Sequence, residues 1–233
     1  LHTAYRRQRQ MCIRDSANMP MKNAKKPLVY TARVKRMLAT DAVVLIAAYA
    51  LSFFAGAEKA GLFGFATALA LTPFVVLIGN FINSPIEKAI RHYYINDAKK
   101  MLKACPDLKV IGITGSYGKT SVKYFLSTAL KAKYNVLMTP ESYNTPMGVV
   151  KTIREQLRPT HEIFVCEMGA RNVGDIKEIC DIVFPDYGII TSIGEQHLES
   201  FKSIDNIVKT KFELYDAVPN KENMFLNGDN QYI

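Results

Sequence analysis

The chain has 233 residues, enough for one good-sized domain and an appendage. Its formal charge of +9 is uneven: residues 1–103 carry 16 Lys/Arg against 5 Asp/Glu, and residues 104–233 carry 14 against 16. A nucleic-acid partner is therefore excluded, because the part that reads as a folded domain lacks a basic surface. The four cysteines, Cys12, Cys105, Cys166 and Cys180, form no C-x-x-C pair and no metal-ligand spacing, so they read as reduced thiols.

In chain order, residues 1–40 form a basic N-terminal segment, of which the first sixteen match nothing around them and read as foreign to the protein. Residues 41–82 contain two uncharged stretches, 42–57 and 62–82, separated by Glu58 and Lys59. The second is long enough to cross a hydrocarbon core of ~30 Å, with Pro73 as a kink. Lys/Arg flank both outer ends, and Lys59 alone lies between the stretches. This pattern predicts a transmembrane helical hairpin with both ends cytoplasmic, a cell-membrane location and membrane lipid as a partner. Residues 83–107 read as an amphipathic linker helix along the membrane surface, with Ile86, Ile90, Tyr94 and Met101 on one face.

From residue 108 onward short apolar runs alternate with helical periodicity. Strands are expected near 108–114, 134–139, 162–169, 187–194 and 222–227, with helices near 119–133, 147–157, 174–183 and 203–217. Such alternation predicts an α/β fold: a mostly parallel sheet with helices on both faces, whose ligands bind beyond the carboxyl ends of the strands. The polar motifs at 114–120, 142–148, 167–169 and 194–199 each begin where a strand stops.

Residues 112–120 read Gly-Ile-Thr-Gly-Ser-Tyr-Gly-Lys-Thr, between the first of these strands and a helix. Gly115 and Gly118 let backbone N–H groups turn inward, and the helix N-terminus adds partial positive charge. Together with Thr114, Ser116 and Ser121 they predict a nucleotide phosphate site, with Lys119 on the phosphates and the Thr120 hydroxyl on Mg²⁺. Ile113 stands where the strict phosphate-loop pattern has its first glycine.

This loop resembles that of the Mur ligases, ATP-dependent enzymes that join amino acids or peptides to the UDP-MurNAc precursor of peptidoglycan. The likeness continues through residues 142–148 (SYNTPMG), 167–170 (EMGA), 190–199 (ITSIGEQHLE), 209–214 (KTKFEL) and 226–230 (LNGDN), in family order. It implies a phosphate-loop-containing central ATP-binding domain over residues 108–233. ATP would phosphorylate a substrate carboxylate, and an incoming amine would displace phosphate. The E-M-G-A and H-L-E-x-F segments imply a UDP-MurNAc-peptide and D-Ala-D-Ala as substrates. The resemblance assigns Glu167 and His197 to Mg²⁺, and Lys119, His197 and Lys211 to catalysis. Lys211 falls where the family carbamylates a lysine, which would make it a further metal ligand, although Lys209 on another helix face is close to the same match. Asn144 and Thr145 fall in the loop expected to contact substrate and γ-phosphate.

Two departures stand against this pattern. The family's usual N-terminal uridine-nucleotide-binding domain has no counterpart, and the chain stops at Ile233, where more of the domain is expected. The expectation is a C-terminally incomplete piece of a longer protein, inactive and poorly stable alone. A relative making another amide polymer such as poly-γ-glutamate, and a non-catalytic ATP-binding scaffold, remain alternatives.

Overall fold

The computed structural model describes residues 30–54, 72–141, 143–196 and 198–233. The chain divides into two compact units, residues 1–88 and 89–233.

Within the first unit, helix α1 (Ala32–Phe54) and the first half of α2 (Thr72–Lys103) are joined by polar contacts. Arg36 Nη2 pairs with Glu87 Oε1 at 2.6 Å, and the Asn83 amide donates to Thr40 Oγ1 at 2.9 Å. Pro73 lies in the first turn of α2, where its missing N–H costs nothing, so it starts the helix and does not kink it. The proline inside this helix is Pro85.

The expected membrane hairpin and cell-membrane location are corrected here. Among the described residues no helix is long and apolar enough to cross a membrane. Within the described residues the charge-free stretch of α1 runs from 42 to 54 and that of α2 from 72 to 86, each short of the ~20 residues a span needs. Residues 55–71, which held the expected loop and the first ten residues of the second span, lie outside the described residues.

The second unit is a parallel α/β sheet. Its strands are β1 (Lys109–Thr114), β2 (Val136–Met138), β3 (Ile163–Glu167), β4 (Tyr187–Ile190) and β5 (Met224–Leu226). They are arranged β2-β3-β1-β4-β5 with every pairing parallel. The central β1 is flanked by β3, which pairs Ile113 with Glu167, and by β4, which pairs Thr114 with Ile190. The intervening helices are α3 (Lys119–Leu130), α4 (Pro146–Gln156), α5 (Asp175–Val183), the short α6 (Leu198–Phe201) and α7 (Ile204–Ala217). A 3₁₀ turn, Lys221–Asn223, leads into β5.

The two faces of the sheet are covered differently. On one, a continuous core joins Val110, Phe164, Cys166 and Leu137 to Val149 and Ile153 of α4, Ile176, Ile179 and Val183 of α5, and Leu214 of α7. Ala98 and Leu102 of α2 belong to this core, with Tyr94, Ile95 and Met101 beside them. The amphipathic face of residues 89–103 is thus satisfied by the sheet, not by a membrane surface. On the other face Val122, Leu126 and Leu130 of α3 pack against Ile113, Val136, Ile163 and Val165.

Helix starts explain themselves locally. Thr145 caps α4 by accepting from Gly148 N at 3.3 Å, with Pro146 at the first position. Ser203 caps α7 through Asn206 N at 3.2 Å. Helix α3 differs: its N-cap is Gly118 at φ +81°, and no side chain caps it. Its first N–H groups are therefore left open at the end of β1.

Candidate functional site

The carboxyl ends of β1, β3 and β4 converge on a cleft of about 730 Å³. Lys119, Asn144, Thr145, Gly169, Arg171, Asp175, Gln196 and Lys211 are among its lining residues, and Arg91 joins them from α2.

The loop after β1 is held by the loop after β4. Ser116 N–H donates to Ser192 O at 2.6 Å, and Tyr117 N–H donates to Ser192 Oγ at 3.0 Å. Thr191 Oγ1 donates to Tyr117 O at 2.6 Å. Gly115 sits at φ +149°, and a Cβ there would lie 2.1 Å from Thr191 Oγ1, so glycine is required for both conformation and approach. Two hydroxyls of the expected phosphate site are engaged within the scaffold. The buried Ser116 hydroxyl is tied to Gly194 O at 3.0 Å, and the Thr114 hydroxyl donates to Met168 O at 3.0 Å. Ser121 is exposed in the first turn of α3.

Lys119 folds over this loop. Its Nζ donates to Gly115 O at 2.6 Å and Ser116 O at 3.2 Å, the place an anion held by the loop would share. Burial lowers its pKa, and the nearby Glu167 charge acts in the opposite direction.

Glu167, the last residue of β3, faces α3 and is only 1 % exposed. The Thr120 hydroxyl lies 3.1 Å from its Oε1 and 3.0 Å from its Oε2. Asn144 Nδ2 donates to Oε1 at 3.1 Å, and the Glu167 N–H donates to Thr139 Oγ1 at 3.1 Å. Gly169 allows this closeness, because a Cβ there would lie 2.8 Å from Asn144 Cγ. Its N–H also donates to Asn144 O at 2.7 Å. Thr145, beside Asn144, spends its hydroxyl on capping α4.

Two groups of the site were not found from sequence. Lys123, one turn beyond Lys119, is 0 % exposed and pairs with Glu167 Oε2 at 3.0 Å. Its signal was the four-residue spacing that puts it on the same helical face as Lys119. Arg91, read only as a basic flanking residue, reaches the cleft and hydrogen-bonds Glu178.

Lys211 projects from α7 into the same cleft and is 3 % exposed, whereas Lys209 is exposed to solvent. Its pKa falls to about 8, first through burial and then through the Lys119 charge, with Glu213 and Asp175 acting against the shift. Glu213, two residues on, anchors the start of α5 by accepting from Gly174 N at 2.7 Å and Lys177 N at 2.8 Å. Asp175 in turn accepts from Arg171 N and Asn172 N at 2.8 and 2.9 Å. His197 lies outside the described residues.

The donor set fits a hard divalent ion. Thr120 Oγ1 and the buried Glu167 carboxylate are the oxygen donors that would hold it, and Mg²⁺ characteristically takes few protein ligands and completes its shell with phosphates and water. Among the described residues no three His, Cys, Asp or Glu side chains cluster as a self-sufficient metal cage. The buried thiols stand apart from this chemistry: burial raises the pKa of Cys180 to about 12 and that of Cys166 well above its ordinary value.

Comparison with known proteins gives this arrangement relatives. The sequence profile of the Mur ligase middle domain matches residues 113–233. The UDP-N-acetylmuramoyl-tripeptide–D-alanyl-D-alanine ligase of Mycobacterium bovis is 37 % identical over 126 residues, which is 54 % of this chain and 24 % of that protein. The enzyme of the same name from Escherichia coli K12 is 32 % identical over 122 residues, covering 52 % and 27 %. Among solved structures, MurF from Acinetobacter baumannii aligns with a TM-score of 0.57 at 30 % identity, covering 61 % of this chain and 31 % of that one. MurF ligase from Thermotoga maritima in complex with ADP aligns with a TM-score of 0.53 at 34 % identity, covering 55 % and 30 %. The chain thus spans about a quarter of the length of the curated relatives it matches. With half of its residues matched in one continuous run, the chain belongs to the Mur ligase family and carries that family's middle domain.

Proposed function

We propose that the protein containing this chain is an ATP-dependent amide-bond-forming ligase of peptidoglycan precursor synthesis. It adds D-alanyl-D-alanine to a UDP-MurNAc-tripeptide by way of an acyl-phosphate. The observation that carries this reading is the meeting of Thr120 and Glu167 at the open N-terminus of α3, beside the cleft that Lys119, Asn144 and Lys211 line. The names of the relatives supply the substrates.

In this reading the uncapped N-terminus of α3 and the backbone around Gly115–Gly118 hold the phosphates of ATP. Lys119 exchanges its contacts with Gly115 O and Ser116 O for phosphate oxygens and neutralises charge as the γ-phosphoryl moves. Thr120 and Glu167 would hold Mg²⁺, joined by His197 as the family resemblance implies, and that ion would supply charge screening between the phosphates and the substrate carboxylate. Asn144 steadies Glu167 and offers its loop to the substrate.

Lys211 is the residue we infer to be carbamylated. With a pKa of about 8, roughly a tenth of it is the neutral amine at pH 7. That amine can attack CO₂, lose a proton and leave a carbamate anion in place of a cation. The charge beside Lys119 then changes from repulsive to attractive.

The test is ADP release by the full-length protein. Release requiring both UDP-MurNAc-tripeptide and D-alanyl-D-alanine is the expected result. Release driven by glutamate polymers would select the other amide ligase, and nucleotide binding without turnover would select a scaffold.

A further inference from the structure

Lys123 belongs to no motif that led to the site, yet it is its most completely buried cation, at 0 % exposure. Burying an ammonium group is costly unless its charge and its N–H donors are matched. Both needs are met within the site. Nζ lies 3.0 Å from Glu167 Oε2 and donates to the backbone carbonyl of Glu141.

These two partners belong to different elements. Glu167 ends β3. Glu141 stands in the left-handed region at φ +41° and opens the turn that leads to Asn144. Asn144 returns to the same carboxylate through its amide, 3.1 Å from Oε1. Thr120, three residues before Lys123 and on the same face of α3, donates to that carboxylate from the side of the phosphate loop. The carboxylate is thus held from three directions, and Lys123 alone brings a full positive charge and a link to the 141–144 turn.

We propose that Lys123 is a positioning residue. It fixes the Glu167 carboxylate and the turn carrying Asn144 so that Glu167 meets the nucleotide's divalent ion without rearrangement. Preorganisation of this kind shows as affinity for the metal–nucleotide complex, because the ordering is complete before binding. The inference rests on the nucleotide-binding reading of the cleft.

The experiment is titration of the full-length protein with ADP, with Mn²⁺ as the probe ion and again in EDTA. Wild type is expected to bind ADP more tightly with Mn²⁺; absence of that difference overturns both the reading and this inference. Lys123→Met is expected to weaken Mn²⁺-supported binding at least tenfold while changing binding in EDTA less than twofold. Adding Glu167→Gln to Lys123→Met is expected to cost less than twofold more. Equal losses with and without metal, no loss at all, or losses that multiply in the double variant overturn the proposal and leave the nucleotide site standing. Should Lys123→Met fail to fold, Lys123→Met/Glu167→Gln decides: a recovered cooperative melt supports Glu167 as the partner this lysine serves, and no recovery overturns it.

Discussion

The cleft has two walls, one lined by the buried Lys211 and one backed by the buried Lys123, and the two are built in opposite ways. On the β3 side Lys123 is enclosed with a carboxylate at 3.0 Å and a carbonyl acceptor. On the α7 side Lys211 has no carboxylate within ion-pair distance among the described residues, and its strongest charged neighbour is the cation Lys119. The first arrangement stabilises a charge and holds geometry. The second makes a charge easy to lose, which suits a residue that is to react. Burial alone therefore does not define a lysine's role; its nearest charge does.

Removing Lys119 should have the largest effect. It stands between the two walls, and Lys119→Ala is expected to lower turnover of the full-length enzyme by about a thousandfold or more, checked by ADP release. Next comes the paired wall: Lys123→Met leaves Glu167 buried without its cation and should cost about 3–5 kcal/mol of stability in chemical denaturation. Gly115→Ala, which forces a Cβ into the loop after β4 at φ +149°, should cost about 2–3 kcal/mol and weaken nucleotide binding.

The unpaired wall should respond with the opposite sign. The folded pKa of Lys211 is about 8 against an ordinary 10.5, so between these values the unfolded chain binds a proton that the folded chain does not. Stability from this group rises with pH through that window, and its full penalty is present below pH 8. Lys211→Met should therefore stabilise the protein at pH 7 by roughly 2–3 kcal/mol, with the gain fading between pH 8 and 10.5, while turnover is lost. In the wild type, ¹³C-labelled bicarbonate should give a carbamate resonance by NMR that the variant lacks. The smallest effect is expected at Lys209→Ala: this exposed neighbour on another helix face should change stability by less than about 0.5 kcal/mol and leave turnover intact.

Much of the second unit was legible because its signals are local. Continuous apolar runs bounded by turn residues located the strands near their observed spans, and the glycines at 115 and 118 marked the turn before α3. Glu167 was legible as a carboxylate at a strand end. Lys123 was not, since a lysine within a helix ordinarily faces solvent, and only the approach of β3 and the 141–144 turn encloses it. The partners of the Thr114 and Ser116 hydroxyls were hidden for a related reason. Sequence showed them inside the loop but not the carbonyls of Met168 and Gly194 that occupy them.

The N-terminal helices were read least well. Hydropathy reports that a segment leaves water without reporting where it goes. Residues 83–104 were assigned to a membrane surface, and Ala98 and Leu102 are instead in the core beneath the sheet. Within the described parts of α1 and α2 the charge-free stretches, 42–54 and 72–86, are shorter than a span needs.

The central claim is that the turn after β1 and the end of β3 form one nucleotide site. A structure of the full-length protein with Mg²⁺ and a non-hydrolysable ATP analogue tests it most directly. The account predicts terminal phosphates against the N-terminus of α3 beside Lys119, and an ion about 2.0–2.1 Å from Thr120 Oγ1 and a Glu167 oxygen. Nucleotide bound elsewhere, or an ion that neither Thr120 nor Glu167 reaches, would contradict it.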